Sequence, residues 1–305
     1  MAYKCRNMFE NTKRETKEIG YGKFNYLVII GVGLQRFSCL ASVLIMSFVV
    51  SSIGCDFRLT PAQKGTLTSI LFVGMVSSSH LNGFLSDRYG RRYTTLRCSA
   101  LCCIISCAAS FAFNYTMLVI LWFFMGFFLA GVITPVLVYV SEFSPPKHRR
   151  KTIFMSVALA ALATTYDPCV AWLIIPLEIR WTLWPGMVFT SWRLLLLWNS
   201  VPFLAAWLLL LALPESPKYL LTRGKDQETI RALARAFAMN TGQDKADYPI
   251  KEVGLDGGDS LADDDGGSVA GFFVSMWRQT RMLFTPPLLL HTLLCCSIQV
   301  GVVGT

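Results

Sequence analysis

The stretch GFLSDRYGRR, residues 83–92, sets three arginines and a single acid between two apolar runs. The run before it is TLTSILFVGMVSSSHLNGFL (66–85), and the run after it is CSALCCIISCAASFAF (98–113). An apolar helix of roughly 20 residues spans the ~30 Å hydrocarbon core of a bilayer. The pattern therefore predicts a charged loop at a membrane surface that joins two transmembrane helices.

The rest of the chain repeats this arrangement. Of its 305 residues, 53% are hydrophobic and only 15% are charged, whereas a soluble chain carries about 25% charged residues. Apolar blocks predict seven spans, at 24–50, 66–85, 95–113, 117–140, 152–176, 193–213 and 287–305. Helices satisfy their own backbone polar groups, as a segment in lipid must. The predicted fold class is therefore all-α, a polytopic membrane protein.

Lysine and arginine alternate between the two sides of these spans. The N-terminal tail, the loops 86–97 and 141–151 and the segment 214–286 hold 23 of the 28 basic residues, and the opposite loops hold three. Cytoplasmic loops of membrane proteins carry this excess of positive charge. We therefore expect a cytosolic N-terminus, and the net charge of +9 gives no evidence for nucleic-acid binding.

The domain organisation follows from the same pattern. Residues 1–23 form a cytosolic tail without the apolar core of a signal peptide, 24–213 a six-helix bundle, 214–286 a cytosolic loop and 287–305 the start of a seventh helix. Within the loop, DQETIRALARAFAMNTG (226–242) has the apolar spacing of an amphipathic helix. The acidic, glycine-rich stretch 254–267 is expected to be disordered, and 268–284 to form an interfacial helix. Because the chain stops inside an apolar run, we expect a fragment, an alternative transcript or a truncated gene model.

The opening stretch also carries a family resemblance. Its Gly83, Leu85, Asp87, Arg88, Gly90, Arg91 and Arg92 are similar to the loop between helices two and three of the major facilitator superfamily. Two further motifs occur at matching helix ends: SEFSPPKHRR (141–150), with Glu142 and Arg149, and PESPKYL (214–220), with Glu215. The resemblance implies a six-helix N-terminal bundle and a transporter that works by alternating access. Plain basic cytosolic loops are the competing interpretation.

The resemblance also implies roles for these residues. Gly83 is expected to permit close helix contact and Gly90 a tight turn. Asp87 is expected to face the N-terminal end of a helix in the other half of the transporter as a charge–dipole latch. The five charged residues of an ion-pair network that closes the cytosolic gate are then Glu142, Glu215, Arg91, Arg92 and Arg149.

A narrower resemblance comes from AWLIIP (171–176), FTSWRLLLLWNSVPFLAAWLLLLALPESPKYLLTRGK (189–225) and AMNTGQDKADYPIK (238–251). These segments look like the synaptic vesicle glycoprotein 2-like branch, particularly its insect members. Members of that branch often carry an acid in helix one, and the corresponding stretch GLQRFSCLASVLIM has none.

Polar residues inside the spans are the candidates for a substrate path. Arg36 of the first span and Asp167 of the fifth are expensive in hydrocarbon and usually face a cavity or a partner. One hypothesis places them along the path as a pair, and the other lets Arg36 snorkel and puts Asp167 at an outer mouth. Thr134 and Tyr139 of the fourth span are further candidates. Gly126 and Gly131 are expected to allow close helix packing.

The leading functional interpretation is a secondary transporter for a small organic solute, with the alternative that this chain is an inactive fragment. The competing class is a non-transporting membrane receptor or trafficking component. No phosphate-binding loop, zinc-ligand spacing or nucleophile elbow is found, so neither enzyme activity nor a cofactor or metal is expected. The expected partners are the solute, the lipid bilayer of a plasma or vesicle membrane, and either a C-terminal half or a second copy of the chain.

Overall fold

The computed structural model of the chain describes residues 20–177, 179–184, 187–244 and 247–249, and the single positions 277 and 281. Nearly all of them belong to one compact unit, Met1–Gly258, and the last two belong to a second, Asp259–Thr305. The predicted seventh span, the acidic stretch 254–267 and most of the predicted interfacial helix lie outside the described residues, as does the tail 1–19.

All six of the predicted spans in the first unit are helical. Four are continuous: α1 (Lys23–Phe57), α2 (Pro61–Tyr89), α3 (Arg91–Ser110) and α4 (Tyr115–Glu142). The fifth span is divided into α5 (Arg149–Ala161) and α6 (Ala163–Ile174), followed by a 3₁₀ turn at Ile175–Leu177. The sixth is divided into α7 (Ser191–Trp198) and α8 (Ser200–Leu211). Two further helices follow, α9 (Pro217–Thr222) and α10 (Asp226–Thr241).

Five helical segments of the described part are long and apolar enough to cross a membrane: Lys23–Gly54, Arg91–Ser110, Tyr115–Glu142, Arg149–Leu177 and Ser191–Leu211. The second span, α2, has the length but not the hydropathy, because serine, threonine and glycine occupy many of its positions. It nevertheless packs extensively against α4. That contact hides polar positions such as Ser78 and Asn82, whose side chains donate to the carbonyl of Phe127.

Glycine decides how closely these helices approach. A Cβ on Gly126 of α4 would lie 1.9 Å from the carbonyl oxygen of Leu71, and a Cβ on Gly74 of α2 would lie 2.2 Å from that of Phe123. A Cβ on Gly131 would lie 2.4 Å from the sulfur of Cys98. Close packing at Gly126 and Gly131 is thus confirmed, and Gly74 adds a position that was not predicted.

The end of the bundle that holds residues 83–92 is called the motif end here. There the amphipathic helix α10 buries Leu233 and Phe237 against Phe24 and Val28 of α1. The side-chain oxygen of Asn240 accepts a hydrogen bond of 2.9 Å from the backbone N–H of Phe24. The helix predicted within 226–242 is confirmed, and it closes the N-terminal end of α1.

The opposite end, the hairpin end, contains two strands that were not predicted. Strand β1 (Arg180–Trp184) pairs antiparallel with β2 (Met187–Thr190), with Trp181 opposite Phe189 and Thr182 opposite Val188. Aromatic and β-branched residues favour such extended pairing. Hydropathy alone treats this stretch as a short loop, because the strands are too brief to produce an apolar block.

Candidate functional site: a capped motif end and an arginine-lined cavity

Arg91 lies at the centre of the motif end. Its Nη2 atom is 2.9 Å from Oδ1 of Asp87, one turn earlier, and its Nε atom is 3.7 Å from Oε1 of Glu142 at the end of α4. Glu142 is buried, whereas Asp87 is 65% exposed. The Ser216 hydroxyl also donates to Glu142. The arginine thus joins an exposed acid of the loop to a buried acid of a neighbouring span.

Glu215 binds backbone amides at the start of α3. Its Oε1 accepts from the N–H of Arg92 at 2.9 Å, and its Oε2 accepts from the N–H of Tyr93 at 3.1 Å. The first turn of a helix leaves its N–H groups without intrahelical partners and carries partial positive charge. A carboxylate is the natural group to satisfy both. Glu215 is therefore the N-terminal cap of the third span.

Gly90 leaves space for the Glu215 carboxylate at the start of α3. Its φ is 108°, a backbone conformation that side-chain-bearing residues rarely adopt, and a Cβ would lie 2.7 Å from Oε2 of Glu215. The predicted tight turn at Gly90 is confirmed. Gly83 behaves differently, since a Cβ there would meet no atom of the described structure within 4 Å. The described residues thus form no close helix contact at Gly83, and that expectation stays a prediction.

Arg92 and Arg149 bind carbonyl groups at helix ends. The Nε and Nη2 atoms of Arg92 donate to the carbonyls of Leu210 and Leu211, at 3.2 and 2.9 Å, at the end of α8. The Nε atom of Arg149 donates to the carbonyl of Ser141 at 3.1 Å. Basic groups are stabilising at such C-terminal ends, which carry partial negative charge. The expectation of a five-member ion-pair network is thus corrected. Among the described residues, Arg91 forms ion pairs with Asp87 and Glu142. The other three expected members, Arg92, Arg149 and Glu215, bind backbone groups at helix ends.

The PESPKYL motif also holds the loop in place. The Tyr219 hydroxyl donates to the carbonyl of Arg88 at 3.1 Å, and the Arg223 guanidinium donates to the same oxygen. The Arg223 guanidinium carbon lies 5.8 Å from the centre of the Tyr219 ring, within the range of a cation–π contact. The backbone of the GFLSDRYGRR stretch is therefore fixed by residues that follow the sixth span.

Arg193 binds helix-end carbonyls at the hairpin end, and it was not among the predicted site residues. It is only 5% exposed, and its Nη1 atom donates to the carbonyls of Ser110 and Ala112, at 3.1 and 2.7 Å. Its guanidinium carbon lies 4.4 Å from the centre of the neighbouring Trp192 ring. Its position at the start of an apolar block was the available signal. The third span is therefore capped at its C-terminal end as well.

Arg36 lines a cavity of about 210 Å³ between the first, fourth and fifth spans. It lies 13 residues into α1, about 20 Å along the axis at 1.5 Å per residue. Its Nε and Nη1 atoms are buried and have no hydrogen-bond partner. The other lining residues are Cys39, Leu40, Val43, Ile133, Val157, Ala160 and Ala161, none of which carries a charge.

Asp167 of α6 is 2% exposed, and its Oδ2 atom has no hydrogen-bond partner. Among the described residues it forms no ion pair with Arg36, so the hypothesis of a pair is wrong for this structure. Asp167 is thus enclosed by the described bundle, and the alternative that places it at an outer mouth stays a prediction. The two helices do meet nearby, since the rings of Phe37 and Tyr166 are 5.1 Å apart.

The two candidates on α4 lie on different sides of the helix. Tyr139 is buried at the motif end, where its hydroxyl donates to the carbonyl of Pro214 at 2.5 Å and its ring contacts Phe143 at 5.0 Å. This position holds the sixth span and does not line the cavity, which corrects the expectation for Tyr139. Thr134 is exposed and directly follows Ile133 of the cavity wall.

The comparisons with known proteins agree with this architecture. The model of the family described as "Sugar (and other) transporter" matches residues 9–299. The synaptic vesicle 2-related protein of Bos taurus is 30% identical over 266 residues, covering 87% of this chain and 44% of the relative. Organic cation/carnitine transporter 7 of Arabidopsis thaliana is 28% identical over 226 residues, covering 74% and 42%. The chain thus spans less than half the length of these relatives.

Solved structures match the fold at low sequence identity. The structure of the major facilitator superfamily proton:xylose symporter XylE superimposes with a TM-score of 0.61 at 19% identity, covering 72% of this chain and 50% of the symporter. The resemblances to the major facilitator superfamily and to the synaptic vesicle glycoprotein 2-like branch are confirmed, and family and fold are those of transporters. The chain belongs to the sugar (and other) transporter family, as an integral membrane protein with several spanning helices.

Proposed function

We propose that this chain acts in the secondary transport of a small organic solute by alternating access. The main support for this function is the Arg36 cavity, which lies between the first, fourth and fifth spans. An uncompensated arginine is costly in hydrocarbon and is retained where it faces a cavity or a water-filled path. Family membership supports the same conclusion.

The described bundle supplies one wall of such a path. Thr134 is exposed, Arg36 is partly exposed, and Ile133, the residue before Thr134, lines the Arg36 cavity. A facing wall has to come from a further part of the polypeptide or from a second copy of the chain. We expect Arg36, Asp167 and Thr134 to influence transport, and Asp87 to latch the gate against that facing wall.

The proposed orientation places the motif end in the cytosol. The positive-inside rule supports it, because basic residues cluster in the tail and in the loops at that end. Cysteines introduced in the stretch 254–267 are expected to react with a membrane-impermeant reagent only after permeabilisation. Labelling in intact cells would reverse the orientation. Whether the host is a plasma or a vesicle membrane is decided by imaging the tagged chain.

Uptake into vesicles tests transport directly. The purified 305-residue chain is reconstituted, offered a panel of labelled organic solutes, and crosslinked to determine its oligomeric state. Saturable uptake that increases with the fraction of crosslinked dimer would support a cavity completed by a second copy. Uptake by a monomeric chain would show that no second copy is needed. A chain that inserts, binds solute and never transports it would favour the competing role of a receptor or trafficking component, to which the lack of an acid in the stretch GLQRFSCLASVLIM of the first span also points.

A further inference from the structure

We infer that the Arg36 cavity binds the carboxylate of a small organic acid, so that the solute is an anion. This substrate class rests on the proposed transport function, since it concerns the same cavity. Arg36 offers donors that nothing in the described structure uses: its Nε and Nη1 atoms are buried without partners, and no carboxylate of the described residues pairs with it. A guanidinium presents parallel N–H donors that match a carboxylate.

The charge of the cavity selects the sign of the ligand. Arg36 supplies one positive charge and the other lining residues supply none. This charge repels an organic cation and attracts an anion. Asp167, the nearest buried acid along the fifth span, does not neutralise it. One cation fits one carboxylate better than a multiply charged anion.

The rest of the wall selects the body of the ligand. Leu40, Val43, Ile133 and Val157 give an apolar surface, which favours hydrocarbon or an aromatic ring over a sugar or inorganic phosphate. Such a surface has no hydrogen bonds for several hydroxyl groups, and unpaired polar groups are costly to bury. The volume of about 210 Å³ is below that of most drug-sized sites. A monocarboxylate with a compact apolar body fits these properties.

An acidic lipid also presents a negative charge, through its phosphate, so the experiment separates the two sources. The purified full chain in neutral detergent is titrated by calorimetry with benzoate and with its neutral and cationic isosteres, benzamide and benzamidine, followed by a panel of aliphatic and aromatic monocarboxylates paired with their amides. Acids are expected to bind at least roughly tenfold more tightly than their amides, and benzamidine not to bind. The titration is repeated in nanodiscs of phosphatidylcholine with and without phosphatidylglycerol.

Variants assign the binding to Arg36. Arg36→Gln is expected to weaken acid binding by roughly 10- to 100-fold, the loss typical of a charge-assisted pair, and Arg36→Lys to keep part of it. Arg180→Gln, the same change at an exposed arginine of the hairpin, is the matched control. Circular dichroism and size-exclusion chromatography show whether each variant is folded.

The anion site would be overturned if no acid binds, if acids and amides bind equally, or if acid binding survives Arg36→Gln. Binding of phosphatidylglycerol without any binding of soluble acids would also overturn it, because the site would then be a lipid site. Binding in detergent requires no translocation. Selective acid binding without uptake would therefore refute transport by this chain alone and keep the site, whereas uptake of cations or neutral solutes would keep transport and refute the site.

Discussion

Replacing Glu215 by glutamine tests the cap on which the motif end depends. In the native chain both carboxylate oxygens are used, one by the N–H groups of Arg92 and Ser216 and the other by the N–H of Tyr93. Glutamine keeps one acceptor oxygen and replaces the other by an NH₂ group. That group faces the N–H of Tyr93 as donor to donor, and the negative charge at the helix terminus is lost.

The expected cost follows from these contacts. A charge near a helix terminus is worth roughly 0.3–1 kcal/mol, and up to about 2 kcal/mol in partly buried geometries. A hydrogen bond to a charged group contributes about 1.5–3 kcal/mol. Glu215 is partly buried, and one acceptor survives in the variant. We therefore expect Glu215→Gln to lower the free energy of unfolding by about 1–3 kcal/mol.

The assay is reversible unfolding of the purified chain in mixed micelles, followed by circular dichroism as the fraction of denaturing detergent rises. The control is Glu228→Gln, which removes the same charge from an exposed pair with Lys225. Such surface pairs contribute at most about 1 kcal/mol. A Glu215→Gln variant that unfolds like the Glu228→Gln control would refute the capping role.

Three further expectations use the same chain. Arg193→Met leaves buried carbonyls at the end of α3 without donors, and should cost about 2–4 kcal/mol in the same unfolding assay. An unchanged midpoint would show that the cap is dispensable. Gly126→Ala sets a methyl group against a backbone oxygen and should cost about 1–3 kcal/mol, whereas Gly65→Ala, which meets nothing within 4 Å, should be neutral or slightly stabilising. Equal effects would contradict the close helix contact. Asp87→Asn should change the unfolding free energy of the chain by less than about 1 kcal/mol, because Asp87 is exposed. In the complete transporter the same variant should shift the labelling of a cysteine at position 134, since the latch needs the facing wall; unchanged labelling from both sides would argue against the latch.

Hydropathy located the spans but not their ends. The first span was predicted to end at residue 50 and runs to Phe57, and the second was predicted to start at residue 66 and starts at Pro61. The earlier start has a local cause: the Thr60 hydroxyl accepts from the N–H of Gln63, whose side chain accepts from the N–H of Thr60. This capping box can be recognised in the sequence as T-P-A-Q. A hydropathy average does not detect it, because it counts only how apolar the residues are.

The sequence predicts which residues form the site better than it predicts the groups that their side chains contact. The loop motifs identified Arg92, Arg149 and Glu215 as important, and the structure gives all three a contact. Their opposite charges suggested ion pairs, whereas the closest unsatisfied groups in three dimensions are the amides and carbonyls of helix ends. Which helix end lies beside which loop is a property of the tertiary fold. From the sequence alone, Arg193 cannot be distinguished from an ordinary arginine at the membrane interface.

The caps determine which parts of the bundle can move. Glu215 and Arg92 join the third and sixth spans at the motif end, and Arg193 joins them at the hairpin end. Sliding one of these spans past the other by a helical turn of about 5.4 Å would break all these contacts, so the two spans move together. The fifth span is broken at Leu162, which directly follows cavity residues 160 and 161. Beyond the break, Tyr166 accepts a hydrogen bond of 2.6 Å from Nε1 of Trp198 in the sixth span. A bend at Leu162 would therefore displace the cavity wall at residues 160 and 161 relative to a segment that is held by the sixth span.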